Sequence, residues 1–275
     1  MLSQACQLLV AVSLEKLPSI CNITGSTSMK DKTAFITGAA KGIGRATAVA
    51  LSDSCCQVIL TDIDQNALDQ TKNEIEKSGG KATTYLLDVS NQKQVNAVHQ
   101  QALKDHQRID YFVNNAGIGG TLAPIHLMTV ENWNNVINVD LNSIFYCLQA
   151  QINILLPQGG GNIVNVASLA GKKGVMAGSH YSAAKHGVIG ITKSAAIEYG
   201  AHNIRINAIC PSFLETDIIQ AVPKQILDFV KEHRVPLKRH GKAEEAGDTI
   251  KWLLSDQSSF VNGHALVMDG GMNAG

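Results

Sequence analysis

The 275-residue chain has no excess of charge: 23 Lys and Arg stand against 23 Asp and Glu. A neutral balance leaves no electrostatic footprint for nucleic acid or for an anionic membrane, and neither is expected as a partner. Long apolar runs are missing too. The stretch 5–14 is about ten residues, too short to span a bilayer, and no basic residue precedes it as a secretory signal would require. Cysteines are scattered at 6, 21, 55, 56, 147 and 210, with no pair at metal-ligand or disulfide-framework spacing. That pattern fits a reducing cytoplasm, and Cys55 and Cys56 are expected to fill apolar space before a strand. No His-Glu-x-x-His motif occurs, so no metal is expected. His99 and His106, at helical spacing, are expected on a solvated face. His180 is placed either at the mouth of a site or as a packing residue. Internal repeats, charged tails and low-complexity segments are absent.

What is present is enough to bury a full core, with 45% hydrophobic residues. Strand and helix patterns alternate. Strands are expected at 33–37, 57–61, 85–87, 109–113, 163–166, 204–208 and 265–268. Long helices are expected at 133–156 and 180–200, and Leu68, Thr71 and Ile75 give another helix a buried stripe. Such alternation predicts an α/β fold: a doubly wound parallel sheet with helices on both faces, in a single domain. Residues 29–275 form that domain. Residues 1–28, ending in the linker-like Gly25-Ser26-Thr27-Ser28, read as a flexible extension.

Directly after the first strand stands Gly38-Ala39-Ala40-Lys41-Gly42-Ile43-Gly44, and a helical stretch begins at Arg45. Strand, glycine turn and helix start make a phosphate cradle, because glycines let the backbone approach a pyrophosphate and the helix-start amides hold its charge. The second strand ends at Asp62. A carboxylate there can accept both ribose hydroxyls of an adenosine and would repel a 2′-phosphate, which favours NAD(H). Lys41 pulls towards NADP(H), which stays open. Asp62 is also read as a cap for the helix starting near Asp64.

Ser168, Tyr181 and Lys185 supply a second constellation. Tyr181 and Lys185 are one helical turn apart and share a face. A phenol is a weak acid, with an ordinary pKa of about 10, and a neighbouring ammonium favours the phenolate. With a serine hydroxyl aimed at the same point, this is equipment for moving a proton to or from an alcohol or carbonyl oxygen.

Seven motifs in order resemble the short-chain dehydrogenase/reductase superfamily over 29–271: Thr37 to Gly44, Asp88-Val89, Asn114-Asn115-Ala116-Gly117, Ser168, Tyr181-x-x-x-Lys185, Pro211 with Thr216, and Asp269-Gly270-Gly271. The resemblance implies a Rossmann-like fold. It implies that Gly38, Lys41, Gly42, Ile43 and Gly44 meet the pyrophosphate, and that Asp62 meets the ribose. Asp88 and Val89 would bracket the adenine, Asn115, Ala116 and Gly117 would line the pocket, and Pro211 and Thr216 would flank the nicotinamide. Tyr181 and Lys185 would touch the cofactor as well as the substrate. Two departures stand out. The family's catalytic asparagine falls on Asp140, which the resemblance therefore adds to the catalytic set. Ser212 replaces the usual glycine after Pro211, and would be strained if that site needs a positive φ.

The leading expectation is an NAD(H)-dependent oxidoreductase that interconverts a small-molecule secondary alcohol and its ketone. Ser168 would hold the substrate oxygen and Tyr181 would act as general acid/base. An NADPH-type 3-oxoacyl thioester reductase, or a catalytically weak NAD(H)-binding sensor or scaffold, stays open. The segment 216–234 would form a lid, made apolar by Ile218, Ile219, Val222, Ile226 and Phe229 with Phe213 and Leu214 before it; an ordinary amphipathic helix facing its own domain is an equal reading. The resemblance also implies a homo-oligomer, a tetramer.

Overall fold

Strand β1 (Thr33–Thr37) is buried along its whole length, as a strand covered on both faces must be. It sits inside a sheet with β2 (Gln57–Asp62), β3 (Ala82–Leu86), β4 (Tyr111–Asn114), β5 (Gly161–Val166), β6 (Ile204–Pro211) and β9 (Ala265–Met268). The seven strands lie in the order β3-β2-β1-β4-β5-β6-β9, and every neighbouring pair runs parallel. This computed structural model describes residues 29–274 apart from 217, 218, 220 and 221. The expectations for residues 1–28 and for Ile218 lie outside the described residues.

Side-chain alternation along the strands divides the core in two. On one face Phe35, Ile59, Phe112 and Ile163 pack under α3 (Gln92–His106), α5 (Ser143–Gln158) and α6 (Ser179–Tyr199). On the other, Ile36, Leu60, Val113 and Val164 pack under α1 (Gly42–Ser52), α2 (Gln65–Lys77) and α8 (Ala243–Leu254). The stripe Leu68, Thr71 and Ile75 is buried on α2 as its spacing predicts. A small parallel pair, β7 (Leu214–Glu215) with β8 (Gly241–Lys242), brackets α7 (Lys224–His233).

Four expectations change. The long helix expected at 133–156 is α4 (Val130–Ile137), a π-turn (Asn138–Asn142) and α5 in series, with Asp140 inside the π-turn. Ser212 is absent from the non-glycine residues with positive φ, so it carries no backbone strain. Cys56, Cys147 and Cys210 are buried free thiols, whereas Cys55 is half-buried and disulfide-bonded. His99 is fully buried, not solvated.

His99 begins a buried chain of polar groups. Its ring stacks on Phe35 at 4.3 Å and on Phe112 at 5.9 Å. Nδ1 lies 2.8 Å from the Val95 carbonyl, which places the proton there and leaves Nε2 to accept from Gln151 Nε2 at 3.4 Å. Gln151 and Asn114 exchange two amide hydrogen bonds of 3.0 and 2.7 Å. Asn114 donates on to Asn165, Asn165 to Thr192, and Thr192 to the Val188 carbonyl, at 2.9, 2.9 and 2.7 Å. Burial pushes His99 down to about 4, against the opposing pull of its Val95 hydrogen bond.

The strand order reverses between β1 and β4, so their carboxyl ends part and leave a crevice. Among the described residues no helix is long and apolar enough to cross a membrane.

Candidate active site

The glycine turn closes the crevice from below. Gly38 and Gly42 take φ of +64° and +55°, a region open to glycine. A side chain at Gly44 would collide with the Gly38 carbonyl oxygen. Asn115 locks the turn from β4, its side-chain amide donating to the Thr37 and Gly38 carbonyls at 3.0 and 2.9 Å. Thr37 Oγ1 in turn accepts from the amides of Asn115 and Ala116 at 3.0 and 3.1 Å. Helix α1 starts at once, with no side-chain cap and no acidic residue in its first turn. Its leading amides therefore face the crevice as an anion site.

A cleft of about 310 Å³ runs over this turn. Gly38, Lys41, Gly42 and Ile43 line one end, and Asp62, Asp88 and Val89 line another wall. Asn115, Ala116, Gly117 and Thr216 complete it, together with Ile63, Leu87, Ile118 and Val139, which sequence reasoning missed. Asp62 Oδ2 accepts the Ala40 amide of the glycine turn at 3.2 Å, while Oδ1 takes those of Ile63 and Asp64 at 2.8 and 3.2 Å. The cap of α2 is Asp64, which accepts from Ala67 at 3.1 Å, so the capping role considered for Asp62 belongs to its neighbour. Positive-φ glycines, an uncapped helix start and a carboxylate at the end of β2 are a donor set that fits a dinucleotide.

A smaller cleft of about 90 Å³ adjoins it, the two sharing Ile43, Asn115, Gly117, Ile118 and Thr216. Here the structure brings together Ser168, Tyr181, Lys185, Asp140 and Pro211, with Ser212 and Ile219 beside them. Ser168 follows β5, and its Oγ accepts the Ala170 amide at 3.1 Å, which leaves its proton to donate. Tyr181 and Lys185 stand in the first two turns of α6. The Lys185 ammonium lies 5.4 Å from the Tyr181 ring centroid and 3.3 Å from the Val166 carbonyl.

Asp140 meets Lys185. Both are buried, and Lys185 Nζ lies 3.1 Å from Asp140 Oδ2, an ion pair that is off the line of a good hydrogen bond. Oδ1 accepts the Ile118 amide at 2.8 Å. Burial alone would push Lys185 down, but Asp140 and Tyr181 outweigh it and hold the lysine above its ordinary value. His180 is fully buried, and its Nδ1 accepts the Tyr181 amide at 2.8 Å; it is a packing residue, not part of the mouth.

A third cleft, of about 320 Å³, lies between β6, β9 and β8; the motif Asp269-Gly270-Gly271 and Ser212 line it, but none of the candidate catalytic or cofactor-binding residues does. Of its charged members, Arg239 and Glu245 satisfy each other through two hydrogen bonds of 2.8 and 2.7 Å, and Asp269 accepts the Gly271 amide at 2.9 Å.

Comparison with known proteins agrees with this geometry. A family model described as enoyl-(acyl carrier protein) reductase matches residues 38–273. The 3-oxoacyl-(acyl-carrier-protein) reductase FabG of Thermotoga maritima is 38% identical over 244 residues, covering 89% of this chain and 98% of its own. The chain belongs to the short-chain dehydrogenase/reductase superfamily. Cyclohexanol dehydrogenase of an Acinetobacter species, another member, is 38% identical over 245 residues, covering 89% and 96%. The crystal structure of levodione reductase superposes with a TM-score of 0.86 at 35% identity, covering 89% and 98%. As a short-chain dehydrogenase/reductase the chain is an NAD(P)-dependent oxidoreductase acting on CH–OH groups.

Proposed function

We propose that this enzyme prefers NAD(H) and interconverts a hydrophobic secondary alcohol and its ketone, with Tyr181 as general acid/base. The observation that carries the reading is the placing of Ser168, Tyr181 and Lys185 on one small cleft that joins the glycine-turned crevice. A bound nicotinamide would supply the hydride acceptor, or in reverse the donor. Ser168 donates a hydrogen bond to the substrate oxygen. Tyr181 takes the hydroxyl proton in oxidation and returns it in reduction. Lys185 stands beside the Tyr181 ring, where it meets the phenolate once that forms, and holds the nicotinamide ribose. Asp62 favours NAD(H), since its carboxylate would face a 2′-phosphate.

Exposed apolar side chains on the segments before Tyr181 and on α7 support a hydrophobic substrate. Leu122 and Val175 converge beside Gly178, three residues before Tyr181: Val175 Cγ1 and Leu122 Cδ2 lie 3.1 and 3.6 Å from where a side chain there would begin. Met176 next to them is 93% exposed. On α7, Ile226 and Phe229 are also exposed. A second reading, an NADPH-dependent 3-oxoacyl thioester reductase, is favoured by Lys41 in the cleft and by the likeness to FabG.

The catalytic domain is placed at 29–275, with 1–28 as an extension outside it. A cytoplasmic homotetramer is the assembly that the superfamily suggests. Exposed Phe145 on α5 and Ile197 on α6 support association, and three buried free thiols support a reducing compartment, with the Cys55 disulfide against it.

Fluorescence titration with both cofactors tests the preference. NADH is expected to bind at least about tenfold tighter, roughly 1.4 kcal/mol. A screen of ketones and acyl thioesters tests the substrate. Tighter NADPH binding with turnover of thioesters alone would establish the second reading.

A further inference from the structure

The buried partner of Lys185 bears on which direction the enzyme serves. An isolated ammonium one turn from Tyr181 would strongly favour the phenolate. Here a carboxylate stands 3.1 Å from that ammonium, and both side chains are almost wholly removed from water. Asp140 is held on its other oxygen by the Ile118 amide, so it cannot turn away without leaving that donor unpaired. Two opposite charges this close form a dipole whose field falls off faster than that of a single charge. Tyr181, with the ammonium 5.4 Å from its ring centroid, thus meets a weaker positive field than a lone lysine would supply.

Few other groups bear on the pair. On α6, His180 uses Nδ1 to accept the Tyr181 amide, and His186 faces the Ser182 carbonyl at 2.8 Å. From β6, burial pushes the Cys210 thiol up to about 11, so it is uncharged near neutrality. Lys172, in the segment between β5 and α6, is exposed, as is Glu131 on the facing helix α4. Solvent screens both.

We propose that Asp140 is a positioning residue which closes Lys185 into an ion pair, so that Tyr181 keeps its proton through neutral pH and the site serves ketone reduction there. The proposal rests on the reading of Tyr181 as the acid/base. In oxidation the substrate O–H proton passes to the Tyr181 phenolate and the carbinol hydride to a bound oxidised nicotinamide. In reduction the Tyr181 phenol gives its proton to the carbonyl oxygen, while the hydride for the carbonyl carbon would come from a bound reduced nicotinamide. Oxidation therefore waits for alkaline pH, and reduction runs flat across neutrality.

Two measurements decide it. The first needs neither cofactor nor substrate: the phenolate absorbance of the wild-type protein is titrated against that of Tyr181→Phe, and the difference isolates one of five tyrosines. That difference is expected only well above neutral pH, and about one pH unit lower in Asp140→Asn, the usual scale for loss of a nearby charge. A wild-type phenolate already present at neutral pH would overturn the proposal, as would an unmoved midpoint in a folded Asp140→Asn. Should Asp140→Asn fail to fold, as judged by thermal melting, the wild-type difference still decides. The second measurement is the pH–rate profile in both directions. Asp140→Asn should gain about tenfold in oxidation at a fixed pH on the rising limb, and its reduction should begin to fall about one unit earlier. If neither the wild type nor Asp140→Asn turns over any alcohol or ketone, the proposed reaction is wrong, and the absorbance titration judges the ion pair separately.

Discussion

Two buried polar systems share helix α6 and are built in opposite ways. The first is uncharged: His99, Gln151, Asn114, Asn165 and Thr192 join five elements across the sheet. The second is a pair of full charges, Lys185 and Asp140, beside the cleft. Thr192 and Lys185 are seven residues apart, two turns, and so lie on one face of α6. Neutral groups can sit deep in a core at little cost once each is hydrogen-bonded, and they fix the register of the elements they join. A buried ion pair carries a desolvation penalty that packing alone does not require. The neutral chain thus belongs to the scaffold, holding the helix that carries the charged pair to the cleft.

The largest expected effect lies on the charged side. Tyr181→Phe should lower turnover by about 10²–10⁴-fold while NADH affinity stays nearly unchanged. Activity close to wild type would mean that another group moves the proton. A middle effect separates the two systems. Gln151→Leu leaves Asn114 and His99 without their partner and should cost about 2–4 kcal/mol, read as a shifted urea midpoint, with turnover of the folded protein preserved. Lost turnover at unchanged stability would tie the chain directly to chemistry.

The smallest effect is a pH slope. His99 titrates near 6.5 when unfolded and is pushed down to about 4 in the fold by burial. The unfolded chain therefore binds more protons between those values. Stability falls as pH drops below 6.5, and the loss is complete below about 4. At pH 5 the loss amounts to about 2 kcal/mol. His99→Leu should flatten this part of the urea-midpoint profile between pH 7 and 5. An unchanged slope would place the acid sensitivity elsewhere.

Much of the crevice is legible in the sequence because its physics is local. A buried strand, three glycines and a helix start succeed one another within twelve residues, Thr33 to Gly44, and Tyr181 with Lys185 needs only one helical turn. The expectation for His99 fails because its spacing to His106 suggests a polar face. The competing pattern Val95, His99, Ala102 is an i, i+4, i+7 stripe, and those are the three buried residues of α3. Its partner Gln151 lies 52 positions away, beyond any local pattern. Nor could spacing reveal that Asp64 rather than Asp62 caps α2, or that Ser212 avoids positive φ, since both depend on backbone angles set by the folded chain.

The π-turn that carries Asp140 also sets how this helix can change length. A π-turn accommodates one residue more than regular α-helical winding, so it behaves as an insertion retained inside a helix. Deleting one of residues 138–142 would let α4 and α5 wind as a single α-helix with both flanks kept in phase, because the extra residue is absorbed within the turn itself. Val136, the buried residue of α4, would keep its place, and the change would fall on the turn, where the carboxylate facing Lys185 would be moved or lost. The fold can give up a residue here but the site cannot: homologues or designs that shorten the turn must rebuild the lysine's surroundings from other side chains.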